Sequence, residues 1–94
     1  TGPKVKRFEA DFAAYTGARH AIGVSSCTAA LHLSLAACGI GPGDEVIVPT
    51  LTFCATANVV EHLGARPVIV DVDRCGLLRA ETAERAITPR TRAI

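Results

Sequence analysis

Asp44-Glu45-Val46-Ile47-Val48-Pro49-Thr50-Leu51-Thr52-Phe53-Cys54-Ala55-Thr56-Ala57-Asn58-Val59-Val60-Glu61-His62-Leu63-Gly64 decides how the whole chain is read. Glu45–Val48 is a short run rich in β-branched residues, stopped by Pro49, which cannot donate to a sheet ladder. Thr50–Phe53 follows as a loop. From about Ala55 to Leu63 the apolar positions fall at helical spacing, and Gly64 supplies the stop. A continuous apolar strand, a short loop and a helix make the first half of a β-α-β unit. Such a strand expects cover on both faces, which is the condition of a parallel sheet.

The same unit recurs on either side. Downstream, Pro67–Val72 reads as the next strand, ending at Asp71 and Asp73, and Arg79–Ile87 reads as a helix. Arg92-Ala93-Ile94 begins another apolar run. Upstream, the dense punctuation Gly39-Ile40-Gly41-Pro42-Gly43-Asp44 separates the unit from a helix over about Thr28–Cys38. That helix is apolar nearly all round (Ala29, Ala30, Leu31, Leu33, Leu35, Ala36), which predicts burial. His20–Val24 reads as a short strand breaking into Ser25-Ser26-Cys27-Thr28. Ahead of it, Thr1-Gly2-Pro3 reads as a turn into a helix with Val5, Phe8, Phe12 and Tyr15 on one face, closed by Gly17. The expected fold class is α/β, a mostly parallel sheet covered by helices.

Composition narrows the function. Hydrophobic residues reach 49% and charged ones 20% in a chain of 94 residues. A small free-standing domain exposes much surface for its volume, so this balance predicts faces that expect more protein against them. A three-stranded sheet ending in an open edge points the same way. The expectation is therefore a truncated piece of a larger enzyme, with residues 1–94 forming the N-terminal part of one large domain. A net charge of +1 with scattered basic residues offers no stripe for nucleic acid. No apolar run approaches the roughly 20 residues that span a bilayer. Cys27, Cys38, Cys54 and Cys75 stand far apart without a Cys-x-x-Cys pair, and read as free thiols of a reducing cytoplasm.

Four places can carry chemistry. Ser26-Cys27-Thr28-Ala29 opens a helix after a strand, where unpaired N–H groups and the helix dipole favour an anion such as phosphate. Simple capping by Ser26 is the competing reading, and spacing alone favours it. Phe53 lies past the carboxyl end of a strand, where ligands bind in open α/β sheets, and its ring either stacks on a flat cofactor or anchors the core. Asp71 and Asp73, two apart, either hold magnesium or form a turn, and the turn is favoured. Cys27 is a candidate nucleophile at a helix start, but no histidine is placed to serve it and a small-residue role is favoured. His20, His32 and His62 show no ligand spacing. Neither standard glycine-rich nucleotide cradle is present.

Taken in order, these segments resemble the DegT/DnrJ/EryC1/StrS family of sugar aminotransferases. The resemblance runs through Gly2-Pro3-Lys4-Val5, Phe8-Glu9, Phe12-Ala13, Tyr15 and Gly17 into Ser26-Cys27-Thr28-Ala29-Ala30-Leu31-His32-Leu33. It continues through Gly39–Pro49 and Thr52-Phe53 with Ala55-Thr56-Ala57. Gly64-Ala65, Pro67-Val68, Val70-Asp71-Val72-Asp73 and Ala86–Thr91 complete it. Each piece is weak alone; their order is specific.

The resemblance implies the large domain of a fold-type I enzyme that uses pyridoxal 5′-phosphate (PLP). Cys27, Thr28 and Ala29 match the family's Ser-Gly-Thr-Ala turn, whose backbone and Thr hydroxyl hold the cofactor phosphate; Cys27 stands where many relatives carry Gly. Phe53 matches the aromatic that stacks on the PLP ring. The implied reaction moves an amino group, usually from glutamate, to a nucleotide-linked keto sugar, in a homodimer. The family also contains sugar dehydratases, in which a histidine replaces the Schiff-base lysine, and non-catalytic regulatory relatives. Lys4 and Lys6 are the only lysines here and match no catalytic motif. By resemblance the Schiff-base lysine lies beyond Ile94, so no catalytic residue is expected within 1–94 and the piece alone is expected to be inactive.

Overall fold

The computed structural model describes residues 2–94, so Thr1 of the expected opening turn lies outside the described residues. Four helices and three strands follow in the order α1 (Pro3–Thr16), α2 (Cys27–Ala37), β1 (Glu45–Pro49), α3 (Ala55–His62), β2 (Arg66–Val70), α4 (Ala80–Ala86) and β3 (Thr91–Ala93). The sheet has the order β2-β1-β3, and both pairings are parallel. β1 and β2 match residue for residue from Glu45–Arg66 to Pro49–Val70. The β1–β3 ladder is shorter and shifts register between Glu45 and Val46.

Strand alternation sorts the core into two layers. Val46 and Val48 face one side, packing with Ile40, Val59, Val60 and Ala65. Ile47 faces the other, with Val70 and Ala83. α3 therefore covers one face and α4 the opposite one. Right-handed crossovers require this: the chain steps outward from β1 to β2 and then back past β1 to β3, so the two connecting helices fall on opposite faces. The order of strands reverses at β1, and Phe53 leaves from its carboxyl end.

α2 joins the first layer. Leu35 packs against that core, and the turn after Cys38 hands the chain to the amino end of β1, with Ile40 N–H donating to Leu35 C=O at 3.1 Å. Gly39 and Gly43 sit at φ 73° and 93° in that turn, a conformation in which a β-carbon would clash with its own backbone. An eleven-residue helix and a five-residue strand have similar lengths, about 16 Å each. The start of α2 therefore lies toward the carboxyl edge of the sheet. Leu31 and Leu35 of α2, Val46 to Pro49 of β1, and Thr56 and Val59 of α3 line one apolar cleft between these elements.

Two expectations are corrected. His20–Val24 is not a strand: among the described residues no strand lies beside it, so its N–H and C=O groups have no ladder to join. It runs instead along α1, where Gly23 N–H donates to Glu9 Oε1 at 2.7 Å and Phe8, Phe12 and Ile22 line a common apolar groove. The apolar helix α2 contains no buried residue, and Leu33 is 55% exposed. Apolarity on every side predicts cover on every side, and only the Leu35 side is covered. The apolar stripe of α1 is present too, but Val5, Phe8, Phe12 and Tyr15 are all exposed, Tyr15 at 89%.

Candidate cofactor site

Ser26 caps α2. Its backbone is extended (φ −161°, ψ 163°), and its Oγ accepts from Ala29 N–H at 3.1 Å, while its C=O accepts from Ala30 N–H at 3.0 Å. Those bonds settle the third and fourth N–H groups of the helix. The first two, on Cys27 and Thr28, have no partner among the described residues, nor has the Thr28 hydroxyl. No acidic residue stands in the first turn. Capping and anion binding, which compete when the residues are read in sequence, are compatible at this helix end, because the cap consumes one donor and leaves two. Ala29 presents a methyl group and an engaged N–H.

Phe53 sits four residues past β1 and is 74% exposed. It is not a core anchor. Thr50 N–H extends the sheet by donating to Val70 C=O at 2.8 Å, and Phe53 C=O accepts from Thr56 N–H at 3.0 Å in the first turn of α3. The loop is thereby fixed at the carboxyl edge, on the same edge as the start of α2.

The paired aspartates make a turn. Asp73 Oδ1 accepts from Cys75 and Leu77 N–H at 2.8 and 3.0 Å, and its Oδ2 pairs with Arg79. The Leu77 bond, then Arg79 and Cys75, hold its carboxyl below the ordinary aspartate range. Asp71 accepts from Val72 N–H and from the Thr50 hydroxyl. Among the described residues no three metal-ligating side chains gather. All four cysteines are free and exposed.

Two associations have no sequence signal. His32 of α2 and His62 of α3 bring their rings to 6.3 Å, a consequence of helix packing at a separation that no periodicity marks. Glu45 is a buried carboxylate at the opposite, amino edge of the sheet. Its Oε2 accepts from Thr88 Oγ1 at 2.6 Å and its Oε1 from Arg90 Nε and Nη2. Thr88 first, and Arg90 next, keep its carboxyl below the usual glutamate range.

The family model of the DegT/DnrJ/EryC1/StrS aminotransferases matches residues 1–94. The chain belongs to this family. Among curated relatives, the spore coat polysaccharide biosynthesis protein SpsC of Bacillus subtilis is 56% identical over 94 residues, covering 99% of this chain and 24% of SpsC. Among solved structures, DesV of S. venezuelae superposes with a TM-score of 0.91 at 49% identity, over 98% of this chain and 25% of DesV. A Streptococcus pneumoniae protein solved in a PLP form reaches a TM-score of 0.90 at 42% identity, over 97% of this chain and 24% of its own. The chain thus spans about a quarter of the length of the relatives it matches.

Membership in the DegT/DnrJ/EryC1/StrS family implies PLP as cofactor. The local chemistry accepts a phosphate: two open N–H donors, a free hydroxyl, a helix dipole and no competing acid.

Proposed function

We propose that this chain is the N-terminal part of the large domain of a cytoplasmic, homodimeric PLP-dependent aminotransferase, which passes an amino group from glutamate to a nucleotide-linked keto sugar. The observation that carries the proposal is the open end of α2: Cys27 and Thr28 N–H without partners beside a free Thr28 hydroxyl, in a chain of this family.

In this reading Cys27 and Thr28 hold the phosphate through their backbone, and Thr28 adds its hydroxyl. Ala29 keeps the approach open with a side chain of one methyl. Phe53 gives one wall of the ring pocket, fixing the plane of the cofactor and excluding water from that face. When bound, PLP supplies the electron sink that amino transfer needs. By the family resemblance the lysine and the carboxylate that this chemistry also requires lie beyond these residues, and Lys4 and Lys6 both belong to α1. On this reading residues 1–94 alone are inactive, and this segment binds and orients.

The test is an assay of the full-length protein with glutamate and a nucleotide-linked keto sugar, following 2-oxoglutarate and the amino sugar. Formation of both in equal amounts, dependent on PLP, is expected. Loss of water from the sugar without 2-oxoglutarate would assign a dehydratase instead, and binding of PLP or the sugar nucleotide with neither reaction would leave a non-catalytic regulatory relative.

A further inference from the structure

We infer that Thr50–Phe53 is a pre-set platform for the Phe53 ring, with Thr56 and Gly76 as its positioning residues. The inference rests on the reading of Phe53 as the ring that stacks on the cofactor, and goes beyond it by naming what holds that ring in place.

An aromatic residue that is 74% exposed on a surface loop is ordinarily a mobile group. Here the two threonines that lead to it, Thr50 and Thr52, are both tied. Thr50 continues the β1–β2 ladder through its N–H to Val70 C=O, and its hydroxyl reaches Asp71 Oδ1 at 3.4 Å. The exposed Leu51 side chain reaches over Gly76, its terminal Cδ2 standing 2.9 Å from where a β-carbon at Gly76 would lie. Gly76 is also at φ 76°, in the left-handed region that a side chain strains. Its turn is in turn fixed by Asp73, which accepts the N–H groups on both sides of it, Cys75 and Leu77. Thr52 shares a hydroxyl–hydroxyl bond of 2.9 Å with Thr56, and Phe53 C=O accepts from Thr56 N–H at 3.0 Å. Thr56 thus grips the loop twice, once on each side of the peptide that carries the ring. Only the ring is left without a contact of this kind.

The physical consequence is pre-organisation. A ring already held in place does not have to be ordered when a flat ligand arrives, so its stacking energy is not spent on loop entropy. The Thr52 and Thr56 hydroxyls and the Gly76 hydrogen are what make the grip possible. Thr52-Phe53 with Ala55-Thr56-Ala57 is one of the segments that mark the family resemblance, and on this account its threonines serve the phenylalanine between them.

The experiment uses the full-length holoprotein and four variants: Phe53→Leu, Thr56→Val, Thr56→Ser and Gly76→Ala. Three quantities are read for each, namely the apparent Kd for PLP, the induced circular dichroism of the bound cofactor, and Tm. The expected result is that Thr56→Val and Gly76→Ala each weaken PLP by about three- to tenfold and reduce the induced dichroism. Thr56→Ser restores both, and adding Thr56→Val to Phe53→Leu costs little more than Phe53→Leu alone. A purely structural threonine would lower Tm and leave the dichroism of the retained cofactor unchanged, which would overturn the inference. Should Phe53→Leu weaken PLP while Thr56→Val and Gly76→Ala bind as the parent does, the platform is refuted and the stacking role of Phe53 stands. Should Phe53→Leu itself change nothing, the stacking role falls and the platform with it.

Discussion

Arg90 places both Nε and Nη2 on one oxygen of Glu45, at 3.0 and 2.8 Å, joining the turn before β3 to the first residue of β1. Thr88 takes the other oxygen, and Arg66 stands 3.6 Å from the first. β3 has only a short ladder to β1, so this cluster is its principal tether at the amino edge.

That tether makes the docking of β3 acid-sensitive. Glu45 has a folded-state pKa below its unfolded one, because Thr88 and Arg90 favour the carboxylate. Its stabilising contribution is therefore complete above the ordinary glutamate range and is lost as pH falls through that range toward the lower folded value. Thermal melts from neutral to acid pH should show Tm of the parent dropping on acidification. Glu45→Gln should start lower at neutral pH and fall less steeply, since Gln has no charge to lose on acidification. Parallel curves for the two proteins would remove Glu45 from the account.

Gly64 tests the turn between α3 and β2. It sits at φ 75°, and a β-carbon there would lie 3.1 Å from Pro42 Cγ. Gly64→Ala should cost more than about 1 kcal/mol in chemical unfolding, from backbone strain plus crowding. Gly17→Ala is the control: its φ is 71° but nothing stands within 4 Å, so only the strain remains and the loss should be smaller.

Thr28 tests the hydroxyl of the proposed phosphate recess. Thr28→Val keeps shape and removes the donor, and should weaken PLP by about tenfold, the size expected for one hydrogen bond to a charged group. Thr28→Ser should recover most of it. Equilibrium titration of the full-length apoprotein with PLP measures both, and equal affinities for Val and Thr would take the hydroxyl out of the site.

Much of this fold can be read from the residues in order. β1, α3 and β2 are bounded by Pro49, Gly64 and turn aspartates, and each begins and ends within about two residues of where its punctuation puts it. The apparent strand His20–Val24 shows the limit. An apolar run specifies what wants burial, but a strand exists only where a neighbour supplies a ladder, and here α1 is the neighbour instead. The apolar face of α1 and the apolar girth of α2 are legible as patterns, whereas their cover is a tertiary fact. The Glu45–Arg90 pair is 45 residues apart and carries no local mark at all. At the candidate site the helix start and Phe53 are both visible in sequence, because each belongs to a single strand-to-helix connection. What sequence could not separate was cap from recess: Ser26 satisfies the third N–H and leaves the first two open.

Ser26 therefore offers the most direct test that the start of α2 holds the cofactor phosphate. Asp caps a helix as well as Ser does, so Ser26→Asp should leave unfolding stability within about 0.5 kcal/mol, whereas Ser26→Ala should lose about 1 kcal/mol. The same Asp sets a negative charge beside the open N–H groups of Cys27 and Thr28. The measurement is the Kd for PLP of the full-length protein, parent against Ser26→Asp, at matched ionic strength. A loss of about tenfold or more with stability intact is the predicted result; an unchanged Kd would contradict it and move the phosphate elsewhere.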